Sequence, residues 1–326
     1  MGTKKIIKLS TPWHNIPYSL TPGGEGIFGD YKFEIDNDCS VCDYWIIWGG
    51  VRKMETVSCP SSNVIYVTDE AHELRFYNQK FLQQFPTVFS VRTDLSHSNI
   101  KYIHELGIWH FPKSYDEIIN PGFRREKSKV LSVVASNLTE LPGHKKRFAF
   151  TNILIGHFKD DLDVFGKGIN PIKDKSEGIL PYKYSVAIEN SVIPNYFTEK
   201  IFECFLTYTM PVYFGCPNIK EFFPVESYVA IDINDYKKSI DEIEEVILND
   251  RYGKNFDAIV EAREGYLNNY YLFPALIKYL NKYDTEFSNG KKSKISIKPE
   301  RHLSFHIEKN IKDVSNIIFN KIKSLS

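Results

Sequence analysis

Short runs of β-branched and aromatic residues alternate with longer stretches of helical periodicity, and the series is written twice. Residues 5–9, 44–48, 64–67 and 88–91 read as strands of a first set, with a helix at 73–84 between the last two. A second set has strands at 130–135, 163–165, 184–188, 211–214 and 228–231, with a helix at 143–157. Strands that alternate with helices build parallel sheets covered on both faces, so the expected class is α/β with two such sheets. The length of 326 residues, 42% of them hydrophobic, suits two cores, because a single core stops growing at about 250 residues. The boundary is expected near 120–129, where Asn120-Pro121-Gly122 and then Arg124, Arg125, Glu126, Lys127 and Lys129 interrupt the apolar pattern, giving domains at 1–125 and 126–285. Beyond Asp232 the chain reads as mostly helical, with Pro274 breaking or kinking its long run. Residues 286–299, rich in Lys, Ser and Gly, read as a linker to a C-terminal tail.

Charge and cysteine content exclude several classes. Lys plus Arg and Asp plus Glu both total 41, so no global field exists to hold a nucleic acid or an anionic membrane, and any polyanion must be gripped locally. No N-terminal stretch has the zones of a signal peptide, and no apolar run approaches the roughly 20 residues that span a bilayer, which reads as cytoplasmic. The cysteines, Cys39, Cys42, Cys59, Cys204 and Cys216, are odd in number and scattered, unlike a disulfide framework. Cys39 and Cys42 have metal-ligand spacing, but no second pair completes a zinc site, and buried small hydrophobes are the better reading.

The chemistry concentrates in KYSVAIENSVIPNYFTEKIFECF, residues 183–205. Its strand delivers Glu189 and Asn190 to the carboxyl edge, where open α/β sheets bind ligands. Thr198 reads as the N-cap of a helix that buries Ile201, Phe202, Phe205 and Leu206. Lys200 then falls in the first turn, where a cation opposes the macrodipole yet is well placed to hold a phosphate. A solvated Glu199–Lys200 pair is the ordinary alternative. Against it stands the crowding of Asn190, Asn195, Tyr196, Glu199 and Lys200 into one connection.

The strings Ile188-Glu189-Asn190-Ser191, Asn195-Tyr196-Phe197-Thr198-Glu199-Lys200 and Pro211-Val212-Tyr213-Phe214-Gly215 together resemble the signature of glycosyltransferase family ten, the α-1,3/1,4-fucosyltransferases. The resemblance covers about 129–232 well and the first half loosely. It departs at Ile188, where Phe is commoner, and at Asn195, where Asp or Gly is commoner. It implies a GT-B-like fold, two Rossmann-like domains with parallel sheets facing across a cleft. It also implies a GDP-fucose donor bound mainly by the C-terminal domain, a glycan acceptor, and no cofactor or metal. Asp161-Leu162-Asp163, the nearest match to an Asp-x-Asp metal grip, lies at the entry end of its strand and reads as surface acid.

Under that resemblance Arg147 falls where an arginine reaches the donor diphosphate. Two cations, Arg147 and Lys200, suit a leaving group whose β-phosphate gains charge as the glycosidic bond breaks. Glu199 would lie beside the developing positive charge of the sugar, while Glu189, Asn190 and Tyr196 would shape the donor pocket. Lys145 and Lys146 read equally well as solvated helix charges. An inverting transfer needs a base for the acceptor hydroxyl. Glu70, at the end of the strand 64–67, matches best, with Asp69 in reserve; both are also placed to cap the helix expected near Glu73. His72 and His144 read as structural or surface histidines, since nothing pairs either with a nucleophile.

Two rival functions keep the fold: transfer of another GDP-deoxysugar, and a catalytically silent protein that binds nucleotide or glycan. In the tail, Ile311, Val314, Ile318 and Ile322 recur at helical spacing. This amphipathic helix is expected to pack on the first domain; its rival fate is weak peripheral attachment at the inner face of a membrane, because Lys309, Lys312, Lys321 and Lys323 make only a modest basic bias.

Overall fold

A computed structural model describes residues 3–135, 139–166 and 168–302. The chain divides into two compact units: Asp30–Tyr102 with the described residues of 1–16 and 284–326, and Pro17–Gly29 with Ile103–Tyr283. The division therefore falls at 102/103 rather than at 125/126. The reason lies in 103–123, whose bonds run to the second unit. Leu272 donates its backbone N–H to Gly107 O at 3.1 Å, and the Arg263 guanidinium donates to Ile118 O at 2.5 Å. Lys127, one of the charges that marked the expected boundary, is half-buried, with its ammonium donating to Leu180 O, Thr207 O and Thr209 Oγ1 at 2.7–2.8 Å.

In the first unit, parallel strands stand in the order Tyr31–Ile35, Lys5–Ser10, Tyr44–Trp48, Val64–Val67, Thr87–Ser90, Ile100–Tyr102. Their β-branched and aromatic side chains fill both faces, as buried parallel strands require. One face packs Trp45, Tyr66, Phe81 and Val88 into a core. The helix expected over 73–84 is only Gln79–Leu82. Arg75 and Tyr77 turn back to bond the Asp69 carboxylate, each at 2.6 Å, and Glu300 takes the Asn78 N–H at 2.7 Å, so 71–78 is held as turns. Asn78 itself caps the short helix, its side chain accepting from Lys80 and Phe81 N–H. The stretch 286–299 is not a plain linker: Ser293–Ile297 is a strand paired antiparallel with Glu55–Cys59, and Ile297 is buried in the core. The tail expected as a helix at 309–326 lies outside the described residues.

In the second unit, five parallel strands stand in the order Leu162–Phe165, Lys129–Val134, Tyr182–Ile188, Met210–Phe214, Val229–Ala230. The helix Pro142–Phe158 follows the strand Lys129–Val134, and Glu199–Leu206 follows Tyr182–Ile188. Both units thus show the doubly wound order in which the second strand lies outside the first and the third inside it. The direction in which successive strands are added reverses between the first and third strands, and that is where such sheets bind ligands. In the second unit the switch point lies between Lys129–Val134 and Tyr182–Ile188. The long helical run breaks at Tyr271 after a π-turn, Tyr266–Tyr270, and Pro274 sits in the first turn of the helix that follows, Leu272–Lys282, where the missing N–H costs little.

Candidate active site

At that switch point a cavity of about 30 Å³ opens between the strand ends, lined by Val134, Ala135, Ser185 and Ile188 and by three cations, Arg147, Lys175 and Lys200. The volume has room for about two water molecules. Arg147 comes from the second turn of Pro142–Phe158, a helix whose N-terminus abuts the strand-end turn so closely that a Cβ on Gly143 would fall 1.9 Å from Asn190 O. Only glycine allows that approach. Arg147 Nη1 donates to Asn190 Oδ1 at 2.5 Å. Burial lowers the pKa of its guanidinium, with Glu199 and Glu189 acting in the opposite direction.

Glu189 is buried at 2% exposure. Its oxygens accept from Thr198 N–H and Thr198 Oγ1, both at 2.7 Å, and Lys200 Nζ lies 3.3 Å away. Thr198 is the N-cap residue as expected, but its hydroxyl binds Glu189 rather than the helix N–H groups. Lys200 Nζ donates to Thr198 Oγ1 at 2.8 Å and to Glu199 at 3.1 Å. Burial works against its charge, yet Glu189 and Glu199 outweigh burial and raise its pKa. Burial likewise opposes ionisation of Glu199, but Lys200 and Lys175 hold its carboxyl far below the usual range. A solvated surface pair would show neither the burial nor the shifts.

The structure therefore brings Glu189, Asn190, Arg147, Glu199 and Lys200 together. Tyr196 is buried nearby at 4% exposure without lining the cavity. Asn195 has φ +65° and exchanges side-chain and backbone bonds with the Asn218 amide, both at 2.8 Å. That left-handed conformation suits Asn, Asp or Gly alike. Asp163 is tied to Lys129 at 2.8 Å and Tyr182 Oη at 2.7 Å, as surface acid. His144 is buried with Nδ1 lacking a hydrogen-bond partner among the described residues, and burial, then Arg147, lowers its pKa. In the other unit Glu70 follows the strand Val64–Val67, half-buried. Its neighbour Asp69 is committed to Arg75 and Tyr77 rather than to a helix cap.

Four residues escaped the sequence reading. Lys175 and Glu203 pair at 2.5 Å behind Glu199. His104, its pKa pushed down to about 4 by burial, is neutral; Nε2 donates to Tyr270 O at 2.9 Å, and the ring stacks on Phe197 at 5.5 Å, supporting the loop that carries Tyr196 and Thr198. Glu105 N–H donates to Asn195 O of the same loop.

Residues 124–256 match the model of the glycosyltransferase family 10 (fucosyltransferase) C-terminal domain. An α-(1,3)-fucosyltransferase of Helicobacter pylori is 33% identical over 73 residues, 22% of this chain and 15% of that protein. α-(1,3)-Fucosyltransferase B of Drosophila melanogaster is 41% identical over 56 residues, 17% and 12% of the two chains. The chain thus spans well under a fifth of the length of these relatives. A crystal structure of an α1,3-fucosyltransferase with GDP is similar at 17% identity and a TM-score of 0.49, over 82% of this chain and 91% of that one. A glycosyltransferase from Rickettsia africae gives 11% and 0.48, over 89% and 100%. The site is thus built on the segment, residues 124–256, that is similar to the C-terminal domain of glycosyltransferase family 10, within the second of two units that each carry a parallel α/β sheet.

Proposed function

We propose that this chain transfers L-fucose from GDP-β-L-fucose to a hydroxyl of a glycan, with inversion and without a metal ion. The observation that carries the reading is the placement of Arg147 and Lys200 on one cavity wall, at the switch point of the sheet that the family model covers. Two cations held there meet the charge that grows on the β-phosphate as the glycosidic bond breaks, which is where charge already in place lowers a barrier most. Glu199, held as an anion beside them, offers negative charge to the oxocarbenium-like sugar. Glu189 and Asn190 orient Lys200 and Arg147. Glu70 acts as the base that takes the acceptor proton, since Asp69 is engaged by Arg75 and Tyr77. The fucosyltransferase names of the relatives support fucose as the sugar and an α-1,3-type linkage.

The test is a melting-temperature panel of GDP- and UDP-sugars. A ligand that binds only the native state stabilises it by about 2.7 kcal/mol at a hundredfold excess over its dissociation constant. GDP-fucose is expected to stabilise most, with turnover unchanged by EDTA. Selective stabilisation by a UDP-sugar would overturn the donor assignment, and a larger effect of another GDP-deoxysugar would change the sugar alone.

A further inference from the structure

Glu203 is out of place on its helix. Glu199–Leu206 buries Ile201, Phe202, Phe205 and Leu206, and Glu203 is buried among them at 0% exposure. An apolar side chain there would avoid the desolvation that a carboxylate suffers. Its charge is met from two directions: His110 N–H donates to Oε1 at 2.6 Å, and Lys175 Nζ lies 2.5 Å from Oε2. Lys175 opens the 3₁₀ turn Lys175–Gly178, which Asp174 caps by accepting from Ser176 N–H at 2.8 Å, so its backbone is fixed. Its ammonium also lies 3.7 Å from Glu199 Oε1, the oxygen that Lys200 Nζ approaches at 3.1 Å. One oxygen of Glu199 is therefore held between two ammonium groups, one of them anchored from behind.

We propose that Lys175, anchored by Glu203, is a positioning residue for the transfer: it fixes the carboxylate of Glu199 at the cavity wall and keeps it anionic while Lys200 engages the phosphate. This rests on reading the cavity as a GDP-sugar site. Without Lys175, Glu199 would share a single ammonium with Glu189 and with the incoming phosphate. Pairing Lys175 at the cavity wall with a buried Glu203 secures Glu199 independently of Lys200. Glu203 lies one helical turn from Glu199, on the same face, so it anchors Lys175 within reach of the Glu199 carboxylate.

Lys175→Gln with Glu203→Gln in one chain removes both charges and leaves no unpaired ion. The double variant should melt within a few degrees of the parent and bind GDP within about threefold by calorimetry. It should release GDP from GDP-fucose, with water as acceptor, at least tenfold more slowly. The acid limb of its rate profile should move to higher pH, because a carboxylate that loses a neighbouring cation gives up its proton less readily. Of the groups facing Glu199, Lys200, Arg147, His110 and Tyr266 remain in that variant. Lys175→Arg keeps the charge and should fold in any case, with the acid limb where the parent has it; a limb that moves in this variant overturns the proposal. Parental rate and an unmoved acid limb in the double variant would make the pair a staple between turn and helix, and a more than tenfold loss of GDP affinity would make Lys175 a phosphate ligand. Either result overturns the proposal while leaving the donor-site reading intact. A parent chain that does not bind GDP removes the donor-site reading itself.

Discussion

Gly215→Ala adds a single methyl group, and its effect follows from what that methyl would meet. A Cβ at 215 would stand 2.3 Å from Glu189 Cγ and 2.7 Å from Tyr213 Oη. Neither neighbour is free to give way. Glu189 has both oxygens bonded to Thr198 at 2.7 Å, and Tyr213 Oη accepts from Cys216 N–H at 3.0 Å. If the backbone shifts, the cost is that of overpacking a filled site, about 1–3 kcal/mol. If Glu189 rotates away instead, hydrogen bonds to a carboxylate worth about 1.5–3 kcal/mol are lost. A destabilisation of about 1–3 kcal/mol is expected on either route, lowering the melting temperature by about 2–12 °C. Since Glu189 aligns Lys200 through Thr198, GDP affinity should also fall, by about tenfold. Thermal melts and GDP calorimetry read the two effects. Gly156→Ala is the control: nothing lies within 4 Å of its added Cβ, in the last turn of its helix, and it should stabilise by up to about 0.5–1 kcal/mol. A Gly215→Ala chain with the parent's melting temperature and GDP affinity would refute the reasoning.

Other perturbations separate binding, chemistry and stability. Lys200→Ala should weaken GDP binding and destabilise the fold, because it leaves Glu189 and Glu199 facing each other; adding Glu199→Gln should restore the melting temperature but not GDP affinity, and restored affinity would refute the phosphate role. Glu70→Gln should lower transfer by roughly 10² to 10⁴ with GDP affinity unchanged, whereas Asp69→Asn should mainly lower the melting temperature; the reverse pattern would make Asp69 the base. Lys127→Met should cost about 2 kcal/mol by orphaning its acceptors and leave GDP affinity alone, which urea titration and calorimetry together check. Glu199 has a depressed folded pKa, so its stabilisation is complete above the unfolded value of about 4.3 and drains away as pH falls below it. Lys200 has a raised one, so its share is complete below about 10.4 and is lost as pH rises beyond that. Melts between pH 3 and 11 should show both flanks, and Glu199→Gln should flatten the acid one.

The parallel sheets were legible because buried strands advertise themselves: Tyr44–Trp48 and Val64–Val67 are apolar on both faces, and the pattern alone delimits them. The turn from Glu189 to Lys200 was legible because its polar residues crowd one connection. Glu203 and Lys175 were hidden for opposite reasons. In Ile-Phe-Glu-Cys-Phe-Leu a single acid looks like the solvent side of an amphipathic helix, and its burial shows only once Lys175 arrives from 28 residues upstream. In Lys-Asp-Lys-Ser-Glu-Gly a lysine looks like loop polarity. The helix expected at 73–84 failed similarly, since Asp69 and Glu300 claim Arg75, Tyr77 and Asn78 and no local propensity announces that. Ser293–Ile297 lies in a polar, glycine-containing stretch, and only pairing with Glu55–Cys59 makes it a strand. Gly143 and Gly215 were a usable signal: beside an otherwise charged turn, a glycine implies that something must approach closely.

An anion site must keep its cations together before the anion arrives, although like charges repel. Two unit charges 4 Å apart interact by about 4 kcal/mol at an effective dielectric constant of 20. Here three carboxylates, Glu189, Glu199 and Glu203, balance Arg147, Lys175 and Lys200, and the three cations differ in how they are held. Lys175 is pinned to Glu203, which has no other charged partner as close as 2.5 Å among the described ion pairs, so moving it would strand a buried carboxylate. Lys200 can leave Glu189 more cheaply, because Thr198 satisfies both Glu189 oxygens at 2.7 Å whether or not the ammonium stays at 3.3 Å. Arg147 Nη1 donates to the neutral Asn190 amide oxygen, a bond that helps to orient the guanidinium. Under the proposed donor-site reading, an incoming diphosphate would meet Arg147 and draw Lys200 toward it, while Lys175 would stay to hold Glu199. On that reading the turn would use an amide and an acid differently: Asn190 orients Arg147 without adding a charge of its own, and Glu189 gives Lys200 a place to wait.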